Sequence, residues 1–210
     1  MHIQNTTFSY QAPYYTTGKP EADQLWIVLH GYGQLAQYFI PKFEFLSDKA
    51  LIVAPEGLSH FYLQGVSGRI GASWMTRQHR ELAISNYIAY LDRVYDELIA
   101  TCDKPFKKVT MLGFSQGVST LIRWLCKRNP EFDQLLMCAG SFPEDVDKDN
   151  CSKVFRNKTC YYLYGDQDQY MQEGSIDRLK SLFDEYGLQV EILKFSGKHE
   201  IHQPSLELLA

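Results

Sequence analysis

The 210-residue chain lacks most of what marks specialised classes of protein. It has no run of five or more like charges, and its formal charge of −4 gives no pull toward nucleic acid or an anionic membrane. The longest apolar runs, LWIVL and ALIVA, fall far short of the roughly 20 residues a membrane helix needs, which argues against stable membrane insertion. The N-terminal MHIQNTTFSYQAPYYTTGK carries no apolar stretch of the kind a secretory signal uses. Five cysteines, at 102, 126, 138, 151 and 160, form no C-x-x-C pair. An odd count without metal spacing points to reduced thiols in a cytoplasm, with no bound metal expected. Repeats, low complexity and linker-like stretches are also missing, so residues 1–210 read as one domain, long enough to bury a large core.

What is present is an alternation of short apolar runs with longer segments of helical period. Strands are expected at 25–30, 50–54, 108–113, 133–139, 159–164 and 188–195, mostly continuously apolar, as in strands covered on both faces. A further edge strand or hairpin is expected at 6–16, where Pro13 would be tolerated. Ile84, Tyr87, Ile88, Leu91, Val94, Tyr95 and Leu98 form one apolar stripe over a helix at 78–100, with Thr76 as its N-cap. Further helices are expected near 116–128, 173–186 and from 204. Strands alternating with helices predict an α/β architecture around a mostly parallel sheet, with ligands bound beyond the carboxyl ends of the strands.

Between the strand-like KVTMLG and the helix-like VSTLIRWLC lies Gly113-Phe114-Ser115-Gln116-Gly117. A bare G-x-S-x-G arises by accident in about one chain in fifteen of this length, so the pattern alone is weak. Its strand–turn–helix setting is the one a nucleophile elbow requires. A serine in so sharp a bend is strained, side chains at 113 or 117 would crowd it, and the helix that follows points its amides at whatever binds there. The competing reading is an N-cap serine.

A serine hydroxyl needs a general base held by a third group. On this fold the order along the chain is serine, acid, histidine, each after a strand. GDQDQYM, after the strand at 159–164, offers Asp166 and Asp168, and spacing does not choose between them. SGKHEIH, after the last strand, offers His199 and His202. His199 sits directly in that loop and is the candidate base, whereas His202 precedes Gln203-Pro204 and reads as a helix start. His2, His60 and His79 read as surface residues, and His30, ending a strand beside glycine, as structural. Acyl transfer also needs two donors for an oxyanion. The N–H of Gln116 is one, and the loop His30-Gly31-Tyr32-Gly33 after an early strand supplies the other.

These segments together resemble the phospholipase/carboxylesterase family of α/β-hydrolases, small serine esterases. The likeness runs through LHGYG (29–33), APEG (54–57), GFSQG (113–117), YGDQD (164–168) and SGKHEI (196–201), in order. It implies an α/β-hydrolase fold with helices on both faces of the sheet and no large cap domain. It also implies Ser115 as nucleophile, His199 as base and Asp168 as the orienting acid, with Tyr32 and Gln116 amides as the oxyanion hole. The chain departs from the family after the acid, where QYMQEG replaces a Val-Val-Pro-like stretch, and at 74–78, where WMTRQ replaces Trp-Phe-Asp.

The expected activity is hydrolysis of a small-molecule carboxylic ester or thioester through an acyl-enzyme, with no metal or organic cofactor. Trp74, Met75, Phe61, Tyr62 and Phe142, with Tyr32, are the candidate lining of an apolar acyl pocket, and Arg69 a contact for a polar substrate group. An acyltransferase or perhydrolase would keep the same triad, and a silent binding protein would keep the fold. A homodimer is compatible with the sequence, which does not address assembly.

Overall fold

The computed structural model describes residues 2–102 and 104–210. Its centre is a seven-stranded sheet. In chain order the strands are β1 (Tyr14–Gly18), β2 (Gln24–Leu29), β3 (Ala50–Pro55), β6 (Lys108–Phe114), β7 (Gln134–Cys138), β8 (Thr159–Gly165) and β9 (Val190–Phe195), with β4 (Ser59–Tyr62) and β5 (Ile70–Ser73) forming a separate two-stranded ribbon. The spatial order in the sheet is β1-β3-β2-β6-β7-β8-β9; β1 runs antiparallel to β3 and every other pairing is parallel. The helical elements are α1 (Ala36–Phe39), a 3-10 segment (Ile40–Leu46), α2 (Arg80–Thr101), α3 (Gln116–Arg128), α4 (Lys148–Phe155), α5 (Ser175–Glu185) and α6 (Gln203–Glu207).

The alternation within β2 shows why both faces are covered. Leu25, Ile27 and Leu29 belong to one buried cluster with residues of α2, α3, α4 and α5, such as Leu91, Leu121, Val154 and Phe183. Trp26 and Val28 point the other way and belong to a second cluster with Phe39, Phe43 and Leu206, from α1, the 3-10 segment and α6. Successive side chains on a strand face opposite sides, so a strand buried twice must be apolar at every position. Burial also pushes the Cys138 and Cys160 thiols up to about 12, since the interior disfavours thiolate. Among the described residues no helix is long and apolar enough to cross a membrane.

Several expectations need correcting. The edge element does not span 6–16 as a hairpin. Pro13, which has no N–H for a ladder, lies just ahead of β1, and its carbonyl accepts from Tyr90 Oη at 2.6 Å and Glu56 N at 3.3 Å. The long helix starts at Arg80 behind His79, whose φ is 50°, so Thr76 is not its cap; the Thr76 hydroxyl instead contacts the Gln78 carbonyl at 3.5 Å. The β4–β5 ribbon, α4 and the helical turns at 36–46 were not expected. All are short, and α4 depends on Asp147, whose side chain accepts from Asn150 N at its start.

Candidate active site

β6 ends at Phe114 and α3 begins at Gln116, so Ser115 is the whole turn between them. Its backbone has φ 53° and ψ −118°, a conformation that non-glycine residues rarely adopt and that costs on the order of 1–3 kcal/mol. Neighbouring contacts hold it there: Ser115 N donates to the Cys138 carbonyl at 2.9 Å, and Val118 N donates to the Ser115 carbonyl at 3.0 Å. The flanking glycines have a steric reason. A Cβ at Gly113 would fall 2.6 Å from the Gly117 carbonyl oxygen, and one at Gly117 would fall 2.8 Å from the His30 carbonyl oxygen. Backbone packs on backbone at these two positions, which only glycine permits.

Two loops that follow β8 and β9 reach this serine along the same carboxyl edge of the sheet. His199 Nε2 lies 3.0 Å from Ser115 Oγ, and His199 Nδ1 lies 2.7 Å from Asp168 Oδ2. A carboxylate accepts from Nδ1–H, which leaves Nε2 as the acceptor of the serine proton. The Asp168 side chain is fully buried and its Oδ1 accepts from Tyr170 N at 2.9 Å, so both oxygens are engaged. Asp166 is exposed and does something else: its Oδ1 accepts from Gly197 N at 3.1 Å, tying the histidine loop to the acid loop. Phe114 and Tyr170 flank the imidazole, with ring centroids 4.9 and 4.7 Å away. His202 is turned elsewhere, stacked on Phe195 and bonded to Ser205 Oγ.

On the other side of Ser115, a Cβ at Gly31 would lie 3.0 Å from Ser115 Cβ, so the 30–33 loop rests directly on the elbow. The N–H groups of Tyr32 and Gln116 donate to no described residue. The loop is braced from behind. His30 is fully buried; its Nε2 accepts from Gly57 N at 2.9 Å and its Nδ1–H donates to the Gly31 carbonyl at 2.8 Å. Burial holds its pKa below the usual histidine range, in keeping with this neutral tautomer.

The Gln116 side chain, which the sequence reading leaves aside, is a strut. Its Nε2 donates to the Met75 carbonyl at 2.9 Å, and its Oε1 accepts from Trp74 N at 3.1 Å. Trp74 Nε1 in turn donates to the His30 carbonyl at 2.9 Å, linking the 73–75 loop to the one that carries Tyr32.

The expected pocket lining divides. Trp74 is 1% exposed and Phe142 5%, both packed in the core. Phe142 stands edge-on to Phe183 and Tyr186. These two are corrected from wall to interior, because α2 and α5 cover them. Met75 is half-buried against the same core, Phe61 stacks on the exposed Tyr32 with centroids 5.1 Å apart, and Tyr62 is exposed. Arg69 lines a shallow groove of about 560 Å³ with Gln34, Gln37 and Tyr38. Among the described residues no group of three or more His, Cys, Asp or Glu is arranged to hold a metal ion.

No protein-family model and no curated protein sequence matches the chain. Solved structures match over almost its whole length. The esterase PE8 is 21% identical, with 94% of each chain covered and a TM-score of 0.65. A phospholipase/carboxylesterase from Dyadobacter fermentans is 18% identical over 98% of this chain and 97% of that one, with a TM-score of 0.64. Acyl-protein thioesterase 2 from Zea mays is 14% identical over 95% and 96%, with a TM-score of 0.68. At such identities the likeness establishes the fold, and the chain has the α/β-hydrolase fold of these proteins.

Proposed function

We propose that the protein is a serine hydrolase that cleaves carboxylic esters or thioesters. Ser115 attacks the carbonyl carbon while its proton passes to His199 Nε2. The oxyanion that forms is held by the N–H groups of Tyr32 and Gln116. The tetrahedral adduct then collapses, the bond to the alcohol or thiol breaks, and the protonated imidazole returns its proton to the leaving atom. Water deprotonated by the same imidazole attacks the acyl-serine, releasing the acid and restoring the hydroxyl. Asp168 holds the tautomer with Nδ1 protonated and stabilises the imidazolium. These steps use only side chains and amides of this chain.

One observation carries the reading: the unbroken relay from Ser115 Oγ through His199 to Asp168, with contacts of 3.0 and 2.7 Å. A strained serine placed between a histidine and two unpaired amides has no use in holding the fold together, and an N-cap serine would need none of these partners. The esterase and thioesterase names of the structural neighbours agree with it. Buried thiols at Cys126, Cys138, Cys151 and Cys160 fit a reducing compartment, so the proposal extends to the cytoplasm. A fluorophosphonate probe is expected to label Ser115 and p-nitrophenyl acetate to be hydrolysed, both ending in Ser115→Ala. A correctly folded sample that neither labels nor hydrolyses overturns the proposal.

A further inference from the structure

We infer that Tyr170 makes this enzyme selective for esters whose alcohol portion carries an aromatic ring close to the scissile oxygen. The inference rests on the hydrolase reading above and names its substrate class. The argument begins from proton transfer. The leaving oxygen must come within hydrogen-bond reach of His199 Nε2, because that atom returns the proton. Whatever is attached to that oxygen therefore passes beside the imidazole.

The imidazole has an aromatic ring on each side, but the two differ. Phe114 is buried, and its ring contacts core residues. Tyr170 is 67% exposed and edge-on to the imidazole at 70° with centroids 4.7 Å apart, so it is an open aromatic surface directly beside the base. Its position is fixed by the backbone around the acid. Tyr170 N donates to Asp168 Oδ1 and Met171 N donates to the Asp168 carbonyl, which pins the residue to the acid loop itself. With Tyr170 4.7 Å from the imidazole that must meet the leaving oxygen, a ring one carbon beyond that oxygen is the substrate group this side chain would engage. Aromatic pairs at offset or edge-to-face geometry gain an interaction that a saturated ring of similar size does not. Tyr170 also falls in QYMQEG, the stretch in which the chain departs from the family it resembles.

Benzyl acetate and cyclohexylmethyl acetate test this, because their leaving groups match in shape and differ in the π system. The wild-type protein should show kcat/KM roughly 2- to 12-fold higher for the benzyl ester, the range an aromatic pair supports. Tyr170→Leu should bring the ratio to about one, and Tyr170→Phe should keep it. A residue that merely steadied His199 would change both esters alike and leave the ratio untouched. A wild-type ratio near one, or a ratio unchanged in Tyr170→Leu, overturns the inference while the hydrolase reading stands. Failure to cleave either ester, together with no fluorophosphonate labelling, removes the hydrolase reading and this inference with it.

Discussion

Replacing Gln116 by alanine separates the two services this residue performs, because the backbone N–H beside the elbow is kept and only the side chain is lost. Trp74 N has the Gln116 oxygen as its acceptor, so it becomes an unpaired, part-buried donor, costing about 1–2 kcal/mol. The Met75 carbonyl fares better, since Ser73 Oγ still donates to it at 2.8 Å; losing one of two donors costs about 0.5–1 kcal/mol. The sum is about 1.5–3 kcal/mol, or a fall in Tm of roughly 3–12 °C for a chain of this size. The catalytic consequence comes by a different route. Trp74 is joined to the His30 carbonyl, one residue ahead of the Gly31-Tyr32 turn, so releasing the 73–75 loop loosens one wall of the oxyanion site. We expect kcat for p-nitrophenyl acetate to fall about 10- to 100-fold, as small misplacements of catalytic groups do, with KM changed much less. Gln116→Glu keeps the acceptor for Trp74 N but sets a carboxylate oxygen against the Met75 carbonyl, so it should not rescue the loss. Thermal unfolding and steady-state kinetics on the same samples give both numbers. An unchanged Tm with unchanged kcat in Gln116→Ala would refute the strut.

Asp168→Asn should lower kcat by about 10⁴-fold, since an amide facing Nδ1 favours the wrong imidazole tautomer. Asp166→Asn retains an acceptor for Gly197 N and should cost no more than about 3-fold; equal, mild losses in both would remove Asp168 as the third member. Asp145 supplies the pH dependence. Its burial alone would raise the pKa, but hydrogen bonds from Arg123 and Arg80 outweigh that and hold the carboxylate at about 2. A depressed folded pKa stabilises the fold above the ordinary carboxylate value and is lost as pH falls from about 4 toward 2. Urea unfolding should therefore show Asp145→Asn less stable than wild type at pH 6, with the gap closing at pH 2.5; a gap of equal size at both would sink this assignment.

The limits of sequence reading fall along a physical line. Strands β2, β3, β6, β7 and β8 were legible because burial on both faces demands an apolar residue at every position, and that demand is local. The elbow was legible for a similar reason: Gly113 and Gly117 answer clashes with atoms only a few residues away or on the adjacent strand. The order serine, acid, histidine followed from the parallel topology, which carries each loop to the same edge of the sheet. Asp166 and Asp168 could not be separated, because both lie in one turn and their difference is made by Tyr170 N and Gly197 N, partners set by how that turn closes. Trp74 and Phe142 were misread for a related reason. An aromatic after a strand has the same sequence signature whether it walls a pocket or fills the core, and α2 and α5 decide which. The β4–β5 ribbon escaped because Ser59–Tyr62 and Ile70–Ser73 are four-residue strands with little β-branching, held to the body through Gln34 and Ala72. What chain position encodes here is where chemistry converges, while which of two neighbours performs it, and what stands at the rim to choose the substrate, is set by contacts between segments. Tyr170 belongs to that second kind: QYMQEG marks a departure from the family, but only the contact with His199 singles out this residue within it.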